Sequence, residues 1–423
     1  MVDATADAIS AVWRDESARL VGALTRLTRD LDLAEDLAQD ALLAALEHWP
    51  NDGIPANPAA WLMTTAKRRA VDGFRRADNL RRKTQELQHA AEEVDPMPDL
   101  DAQVDHIEDD VLRLVFLCCH PALTPESRAA LTLRLVGGLS TVEIARGFLV
   151  PDATMGQRIS RAKRTLAEAG AELELPTGAE RTRRLDDVMA VIYLIFNEGY
   201  VATAGADWAR HDLAAEAIRL ARLLAEVAPT EPEVHGLQAL LELQASRLPA
   251  RTDVAGAPVL LDDQDRGRWD QLLIRRGLAA LAEAESLARR GTPVGRYYLQ
   301  AAIAAEHARS ATPSATDWSR IARLYDVLAQ AAPGAVVEVN RAVAHGRAHG
   351  PDAGLAVLDR ISADDLRDSP MPASVRGDLL HRDGRHAEAA AAFEEAVALT
   401  RNDGERVLLE GRALACRSGH GTG

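Results

Sequence analysis

The chain has 423 residues, of which 47% are hydrophobic and 4% aromatic, and its formal net charge is -15. This length accommodates about two to four domains, and the abundance of Ala, Leu and Arg favours helices. The absence of an apolar run of about eighteen residues or of an N-terminal signal segment, together with only three cysteines, excludes membrane-spanning and disulfide-rich secreted proteins. We therefore expect an all-α protein that is soluble and cytoplasmic.

The first informative helix is predicted from Asp32 to Trp49, in the stretch DLAEDLAQDALLAALEHW. Asp32 and Glu35 are expected to form its N-terminal cap. Helical spacing predicts an apolar stripe made of Leu33, Leu37, Ala41 and Ala44. A second stripe, with Gln39 beside it, mixes acidic and apolar side chains: Asp36, Asp40, Leu43 and Glu47. Such a stripe is typical of a surface that docks on a partner, although solvated acidic faces are also common.

A loop containing Pro50, Pro55 and Pro58 leads into a basic segment, NPAAWLMTTAKRRAVDGFRR. Its predicted helix combines aromatic and cationic side chains, namely Trp61, Lys67, Arg68, Arg69, Phe74, Arg75 and Arg76. Because bases stack on aromatic rings and phosphates bind cations, this combination favours single-stranded or melted DNA as a ligand.

Charge is segregated along the following part of the chain. Residues 61–83 contain eight basic and two acidic residues, whereas residues 86–110 contain ten acidic residues and no Lys or Arg, with Pro96 and Pro98 among them. This pattern predicts a flexible acidic linker over residues 85–110 that joins two basic pieces, as in a two-part nucleic-acid binder. A merely solvated acidic loop has the same composition.

The triplet Cys118-Cys119-His120 follows the linker and resembles part of a metal site. Neighbouring residues on a helix point in different directions, and no cluster of further ligands lies nearby in the sequence. We expect buried, inert thiols here and predict neither a metal site nor a cofactor anywhere in the chain.

A helix-turn-helix is predicted from Leu139 to Leu166. Ser140 and Glu143 form a capping-box pattern for the first helix, and Gly147, Pro151 and Asp152 mark the turn, with Asp152 as the N-cap of the second helix. The second helix is expected to bury Met155, Ile159, Ala162 and Leu166.

The opposite face of that second helix carries short polar and cationic side chains: Thr154, Gln157, Arg158, Arg161 and Arg164. Arg and Gln read base edges in the major groove, and Arg also binds phosphate, so this face is typical of a DNA recognition helix. An ordinary helical hairpin with a solvated face is the alternative.

These pieces, in this order, resemble bacterial RNA polymerase sigma factors of the extracytoplasmic-function (ECF) class. The stretch DLAEDLAQDA followed by NPAAWLMTTAKRRAVD resembles sigma region two, and TPESRAALTLRLVGGLSTVEIARGF resembles region four. Together the two resemblances cover roughly residues 10 to 170. The resemblance implies promoter DNA and core RNA polymerase as partners, with contacts to the β′ clamp helices and the β flap.

The resemblance also implies roles for individual residues. Polymerase contacts would be made by Asp36, Gln39, Asp40 and Leu43. The helix from Trp61 to Arg76 would open and read the minus-ten element, and the outer face of the helix-turn-helix would read the minus-thirty-five element. Many members have Asn where this chain has Arg68, which leaves its minus-ten preference open.

The chain continues well beyond the two regions that make up a minimal sigma factor. The segments Arg184–Pro229 and Gly295–Ala308 resemble the long C-terminal extension of one ECF subgroup, which has a helical domain followed by tetratricopeptide-like helices. Small and large residues occur at tetratricopeptide-like positions, at Gly377, Leu380, Gly384, Ala387, Ala389, Ala390, Phe393 and Ala396, with a weaker copy at Ala342, Gly354 and Leu358. A plain helical bundle is the alternative.

No sequence motif indicates an enzyme. We expect structural ion pairs from the polar cluster Asp262, Asp263, Asp265, Arg266 and Arg268, and core packing from Trp208, Trp269 and Trp318. The predicted domains are a region-two bundle (8–84), the linker (85–110), region four (111–172), a helical extension domain (183–290) and tetratricopeptide-like repeats (291–418).

Three functions fit this organisation. The leading hypothesis is an ECF-type sigma factor regulated by its own extension, with a regulatory protein or ligand bound there. The others are a helix-turn-helix regulator that acts without polymerase, and a tetratricopeptide adaptor or sensor.

Overall fold

A computed structural model describes residues 2–85, 107–148, 150–201, 208–253, 259–362, 366, 369–400 and 403–418. These residues are predominantly helical, which confirms the predicted all-α class. The α-helices are α1 (Val2–Thr28), α2 (Leu31–Asp52), α3 (Pro58–Gln85), α4 (Ile107–Cys118), α5 (Pro125–Leu135), α6 (Thr141–Gly147), α7 (Asp152–Glu168), α8 (Gly178–Val201), α9 (Trp208–Val227), α10 (Pro232–Ala245), α11 (Gln271–Arg289), α12 (Arg296–Arg309), α13 (Trp318–Ala331), α14 (Ala335–His349), α15 (Pro351–Leu358), α16 (Met371–Arg382), α17 (His386–Leu399) and α18 (Asp403–Arg417). None of the helices described is both long and apolar enough to cross a bilayer.

The chain divides into two compact units. The first comprises Met1–Glu198 and Glu226–Ala228, and the second comprises Gly199–Ala225 and Pro229–Gly423.

Small side chains bring the first helices of the first unit together. The buried face of α2 carries Ala34, Ala38, Ala41 and Ala45, all without measurable exposure, and it packs on α1 and α3. Alanine has no side-chain entropy to lose in a helix and allows close packing between helices. At the end of α2 the buried Trp49 ring meets the Trp61 ring of α3 edge to face, with ring centroids 5.3 Å apart.

A glycine fixes the contact between α1 and the turn before α6. Gly138 has φ of +70°, and a Cβ atom there would lie 2.7 Å from Ser17 Oγ. The indole nitrogen of Trp13 donates a hydrogen bond of 3.0 Å to the Gly138 carbonyl. Since larger residues rarely adopt this backbone conformation and would also clash with α1, the turn requires glycine.

The helix-turn-helix forms where the sequence predicts it. Ser140 and Glu143 form a complete capping box at the start of α6, and α7 buries the predicted stripe of Met155, Ile159, Ala162 and Leu166. The predicted cap of α7 is wrong: Pro151 is its N-cap residue and Asp152 its first helical residue, without a side-chain capping bond.

Three predictions for α2 are also wrong. Its cap is Asp30, whose carboxylate accepts a 3.0 Å hydrogen bond from the Leu33 N–H, because Asp32 and Glu35 are turned towards cationic groups elsewhere in the unit. Leu33 is 37% exposed and therefore lies outside the buried stripe. The chain also stays helical through Pro50, which the sequence places in a loop.

The predicted C-terminal bound of the acidic linker, residue 110, is wrong. Residues 86–106 lie outside the described residues, but α4 already begins at Ile107. Asp110, the last residue of the predicted linker, has no exposed surface and accepts hydrogen bonds from Arg26 (2.9 Å) and Arg113 (3.1 Å). Local composition cannot reveal this burial, because Arg26 comes from α1.

The second unit begins with helices α9 to α12 and continues into helical hairpins. The α14–α15 and α16–α17 pairs occupy the positions of the predicted repeat-like segments. Their predicted small and large residues are buried at Ala342, Gly354, Leu358, Gly377, Leu380, Ala389, Ala390, Phe393 and Ala396, whereas Gly384 and Ala387 are exposed. Gly377 lets the two helices approach, since a Cβ atom there would lie 2.7 Å from the Phe393 ring.

Candidate nucleic-acid interface

The outer face of α7 offers polar and cationic groups to solvent. Thr154, Gln157, Arg161 and Arg164 are exposed, and Arg158 is partly exposed. Arg164 faces Glu168 at 3.8 Å, an exposed pair of little energetic weight. Because α6 is held by its capping box and α7 by its buried stripe, this face is rigidly presented and has the chemistry to contact base edges and phosphates.

The basic helix α3 presents a mixed surface. Arg68 and Arg75 are exposed, Phe74 is 41% exposed, and Trp61 and Lys67 are half-buried. The side chain of Arg76 lies outside the described residues. An exposed aromatic ring among cations suits unpaired bases, which stack on the ring while phosphates bind the cations.

The predicted docking stripe of α2 lies beside α3. Asp36 is exposed, and Leu43 is 55% exposed. Asp40 pairs with Arg69 of α3 at 3.1 Å, so the structure joins a residue predicted to bind polymerase to one predicted to bind DNA. Gln39 donates a 2.6 Å hydrogen bond to Glu35.

An ion-pair cluster links α2 to the helix-turn-helix, and no local sequence pattern predicts it. The Lys163 ammonium lies 2.7 Å from Asp32 and 2.5 Å from Glu35, and Arg134 of α5 lies 2.6 Å from Glu35. Burial disfavours the charged form of Lys163, but hydrogen bonds to the two carboxylates outweigh it and raise the pKa of Lys163. We call Asp32, Glu35, Arg134 and Lys163 the latch cluster.

Other contacts support the same arrangement. Arg14 of α1 pairs with Glu143 of α6 at 3.0 Å, which together with hydrogen bonds from Ser140 lowers the pKa of Glu143 despite its burial. Burial raises the pKa of Asp110, although Arg26 and Arg113 act in the opposite direction. The bundle α1–α3 and the helices α4–α7 are therefore packed together within the first unit.

The N-terminal half of α8 is anchored on helices α4 and α5. Arg184 donates a 2.6 Å hydrogen bond to the Phe116 carbonyl, and its guanidinium lies 5.7 Å from the centre of the Phe116 ring. Asp187 pairs with Arg128 at 3.2 Å. Burial lowers the pKa of Arg184.

The thiols at the C-terminal end of α4 are buried, as predicted. Cys118 and Cys119 are at most 1% exposed, and burial raises the pKa of Cys119 to about 12. His120 accepts a hydrogen bond from the Ala122 N–H at Nδ1. Burial therefore disfavours the thiolate form of both cysteines.

The second unit contains a groove of about 1020 Å³. It is lined by residues that include Trp318, Arg347, Phe393 and Arg412, whereas Leu380 lines a separate cavity of about 550 Å³.

The predicted polar cluster forms structural pairs beside the larger groove: Asp262 contacts Arg347 and Arg382. Arg266 donates hydrogen bonds to the carbonyls of His307 (2.8 Å) and Ser310 (2.6 Å). Trp269 is buried, as expected for a core residue. The side chain of Trp208 lies outside the described residues.

Comparison with protein families matches three segments of the chain. Residues 12–80 match sigma-70 region 2, residues 113–166 match sigma-70, region 4, and residues 184–285 match a family of unknown function, DUF6596. The first two segments coincide with the α1–α3 bundle and the α4–α7 helices, which defines a sigma-70-type factor.

Two relatives show which class of sigma-70-type factor the chain resembles. The ECF RNA polymerase sigma factor SigK of Mycobacterium tuberculosis (strain H37Rv) is 34% identical over 154 residues, which cover 35% of this chain and 78% of the relative. SigK of Mycobacterium sp. (strain KMS) is 31% identical over 161 residues, or 36% of this chain and 78% of the relative. The chain belongs to the ECF RNA polymerase sigma factors.

Similarity also extends beyond the two sigma regions. An uncharacterized protein of Rhizobium meliloti (strain 1021) is 44% identical over 396 residues, which cover 92% of this chain and 91% of the relative. The helical extension therefore belongs to the same chain as the sigma regions in this relative as well.

Proposed function

We propose that the chain binds core RNA polymerase through the exposed stripe of α2, contacts promoter DNA through α3 and α7, and is regulated by its C-terminal extension. The observation that carries the proposal is the outer face of α7, where Thr154, Gln157 and Arg161 are exposed on a helix whose other face is fully packed. Like its family, the chain would act by binding and not by catalysis.

The polymerase contact is supported by the chemistry of α2. Leu43 and Leu46 are 55% and 41% exposed, and Asp36 and Asp40 lie on the same helix. Exposed apolar side chains flanked by carboxylates favour a partner with a basic, partly apolar surface. We assign this role to Asp36, Gln39, Asp40 and Leu43.

The promoter contacts are assigned to two helices. Arg158 and Gln157, with Thr154, Arg161 and Arg164, would lie in the major groove of the upstream element. On α3, Trp61, Lys67, Arg68, Arg69, Arg75 and Arg76 would contact the opened downstream element.

The closed first unit has to open for both contacts to form together. Minus-ten and minus-thirty-five elements are about 25 base pairs apart, or about 85 Å at about 3.4 Å per base pair. A compact unit of about 200 residues has a radius of gyration of only about 16 Å. The latch cluster would therefore separate when the factor engages a promoter.

DNA footprinting with assembled core polymerase tests the assignment. The complex should protect two separated promoter segments, and Arg158→Ala should weaken protection of the upstream segment alone. A single protected segment that does not require core polymerase would indicate the alternative function, a helix-turn-helix regulator of duplex DNA.

The extension would act on region four through α8. Its match to the DUF6596 family begins at residue 184, where Arg184 and Asp187 contact α4 and α5. A regulator must interact differently with the two arrangements of the protein that it controls. The groove lined by Arg347, Arg382 and Arg412 is the proposed place for a regulatory protein or ligand.

Two neighbouring arginines provide a matched test of regulation. Arg184 is packed on Phe116, whereas Arg183 is exposed. Arg184→Ala should change promoter-specific transcription several-fold, upward or downward, and Arg183→Ala should leave it unchanged. Equal activity of the two variants would remove the proposed route of regulation.

A further inference from the structure

Three potential metal ligands meet at the C-terminal end of the second unit. A ring nitrogen of His381, a ring nitrogen of His386 and the Sγ atom of Cys416 lie within 4.8 Å of one another. They come from the last turn of α16, the first residue of α17 and the last turn of α18. We propose that these three residues form a binding site for a thiophilic transition metal, with Zn²⁺ as the leading candidate.

The distances fit such a site. In a tetrahedral zinc site with Zn–S of about 2.3 Å and Zn–N of about 2.0 Å, the sulfur and nitrogen ligands are about 3.5 Å apart. Cys416 Sγ lies 3.3 Å from His381 Nδ1, and the ring centres of His381 and His386 are 5.2 Å apart. Small side-chain rotations would bring all three ligand atoms to one ion.

The ligand atoms are also available. His386 Nδ1 is buried and has no hydrogen-bond partner among the described residues, which is an unfavourable state for a polar atom. Cys416 is 5% exposed, and His381 Nδ1 is its hydrogen-bonding neighbour. A metal ion would satisfy both the orphaned nitrogen and the thiolate.

The composition of the site determines the class of metal. One thiolate and two imidazoles favour Zn²⁺ or Cu⁺ over Mg²⁺ or Ca²⁺, which prefer oxygen ligands. The guanidinium of Arg412, on the same helix as Cys416, is paired with Asp378, so its charge is compensated. His381 and Cys416 also line the large groove, which leaves a fourth coordination position for water or for a donor group of a ligand.

The site would connect three helices. Cys416 lies near the end of α18, which packs on α17, and the metal would tie this last helix to the turn between α16 and α17. Metal that binds the folded state raises its stability by mass action. Metal binding can therefore be measured as a rise in melting temperature, which depends neither on transcription nor on the proposed function.

Titration of the full-length protein with Co²⁺, after treatment with a chelator, tests the proposal. The expected result is one bound Co²⁺ per chain, a thiolate-to-cobalt charge-transfer band, displacement by Zn²⁺ and a rise in the melting temperature. Cys416→Ser should abolish the band, although the buried Cys118 and Cys119 remain. His386→Gln, which removes one of the three ligands, should weaken binding by about tenfold or more, because even residues that only orient a ligand contribute that much.

His349→Gln is the control, because this exposed histidine lies on α14, outside the cluster. It should bind Co²⁺ like the unaltered protein. Absence of stoichiometric binding by the unaltered protein would overturn the proposal, and so would a full charge-transfer band in Cys416→Ser or unchanged affinity in His386→Gln.

Discussion

The ammonium group of Lys163, on the proposed recognition helix α7, lies 2.5 Å from a carboxylate oxygen of Glu35 on α2. The pair joins the helix assigned to the upstream promoter element to the helix assigned to core polymerase. Side-chain exposure is only 16% for Lys163 and 9% for Glu35, so water screens the pair weakly. Its formation and its separation are thus coupled to the arrangement of the two sigma regions.

Glu35→Gln should favour the open arrangement. In the closed unit the neutral amide would leave Lys163 and Arg134 partly buried without their shared carboxylate, whereas both cations are hydrated once the regions separate. We expect the closed arrangement to lose about 3 kcal/mol relative to the open one. Glu16→Gln is the matched control, because Glu16 pairs only with Arg19 on its own helix among the contacts described.

Energy transfer between dyes at Ala60→Cys on α3 and Ser160→Cys on α7 measures this opening. Both positions are exposed, and the native cysteines in the described part are buried and should label poorly. Transfer efficiency should fall in Glu35→Gln and stay unchanged in Glu16→Gln. Identical transfer efficiencies in both variants would show that the latch cluster does not hold the two sigma regions together.

The parts of this structure that the sequence predicted are those determined by local rules. The capping box of Ser140 and Glu143 and the buried stripe of α7 depend on residues three or four positions apart. The latch cluster does not, because Lys163 lies 128 positions after Glu35, and nothing near either residue indicates the other. The Cys416–His381 contact was missed for the same reason: no close-spaced ligand pattern marks it.

Asp110 and the α2 cap illustrate a second limit. Composition assigned Asp110 to a solvated linker, yet two arginines compensate its charge in the interior. Asp32 and Asp30 are equally suitable caps by residue type, and the choice between them follows from the cation that Asp32 meets in the folded unit. The burial of Asp110 and the choice of the α2 cap residue both depend on contacts with residues that are distant in the sequence.

Changes in the exposed stripe of α2 should abolish binding to core polymerase. Asp36→Lys reverses a charge on an exposed side chain, and Leu43→Asp removes an exposed apolar contact without disturbing the Asp40–Arg69 pair. Each variant should lose co-purification with core while retaining its melting temperature, because surface changes usually cost little stability. Asp15→Lys, on the exposed face of α1, should co-purify normally. Core binding by both stripe variants would place the docking surface elsewhere.

Arg158→Ala and Arg75→Ala should have different effects on DNA binding. If Arg158 reads a base, its loss should cost about 1–3 kcal/mol at the preferred upstream element and relax the preference at that position. Loss of Arg75 should lower affinity evenly across sequences and reduce its dependence on salt. Binding isotherms of the holoenzyme on matched and mutated promoters measure both. Sequence-independent losses of equal size would refute the recognition-helix assignment.

Gly377→Ala should destabilise the second unit. The added methyl group would lie 2.7 Å from the Phe393 ring, and such overpacking costs about 1–3 kcal/mol. Gly411→Ala, on α18, meets open space and should instead stabilise its helix by about 0.5–1 kcal/mol. Thermal unfolding of the two variants should therefore show opposite shifts in melting temperature. A stable Gly377→Ala variant would show that Phe393 can move aside.

Run-off transcription would show whether this chain directs core RNA polymerase to promoters. Core polymerase with and without the chain would transcribe a library of genomic fragments. We predict discrete transcripts that require both proteins, share an upstream element and are lost with Leu43→Asp. If transcription is the same with and without the chain, under conditions in which a known sigma factor activates the same core preparation, the chain does not act as a promoter-specificity factor.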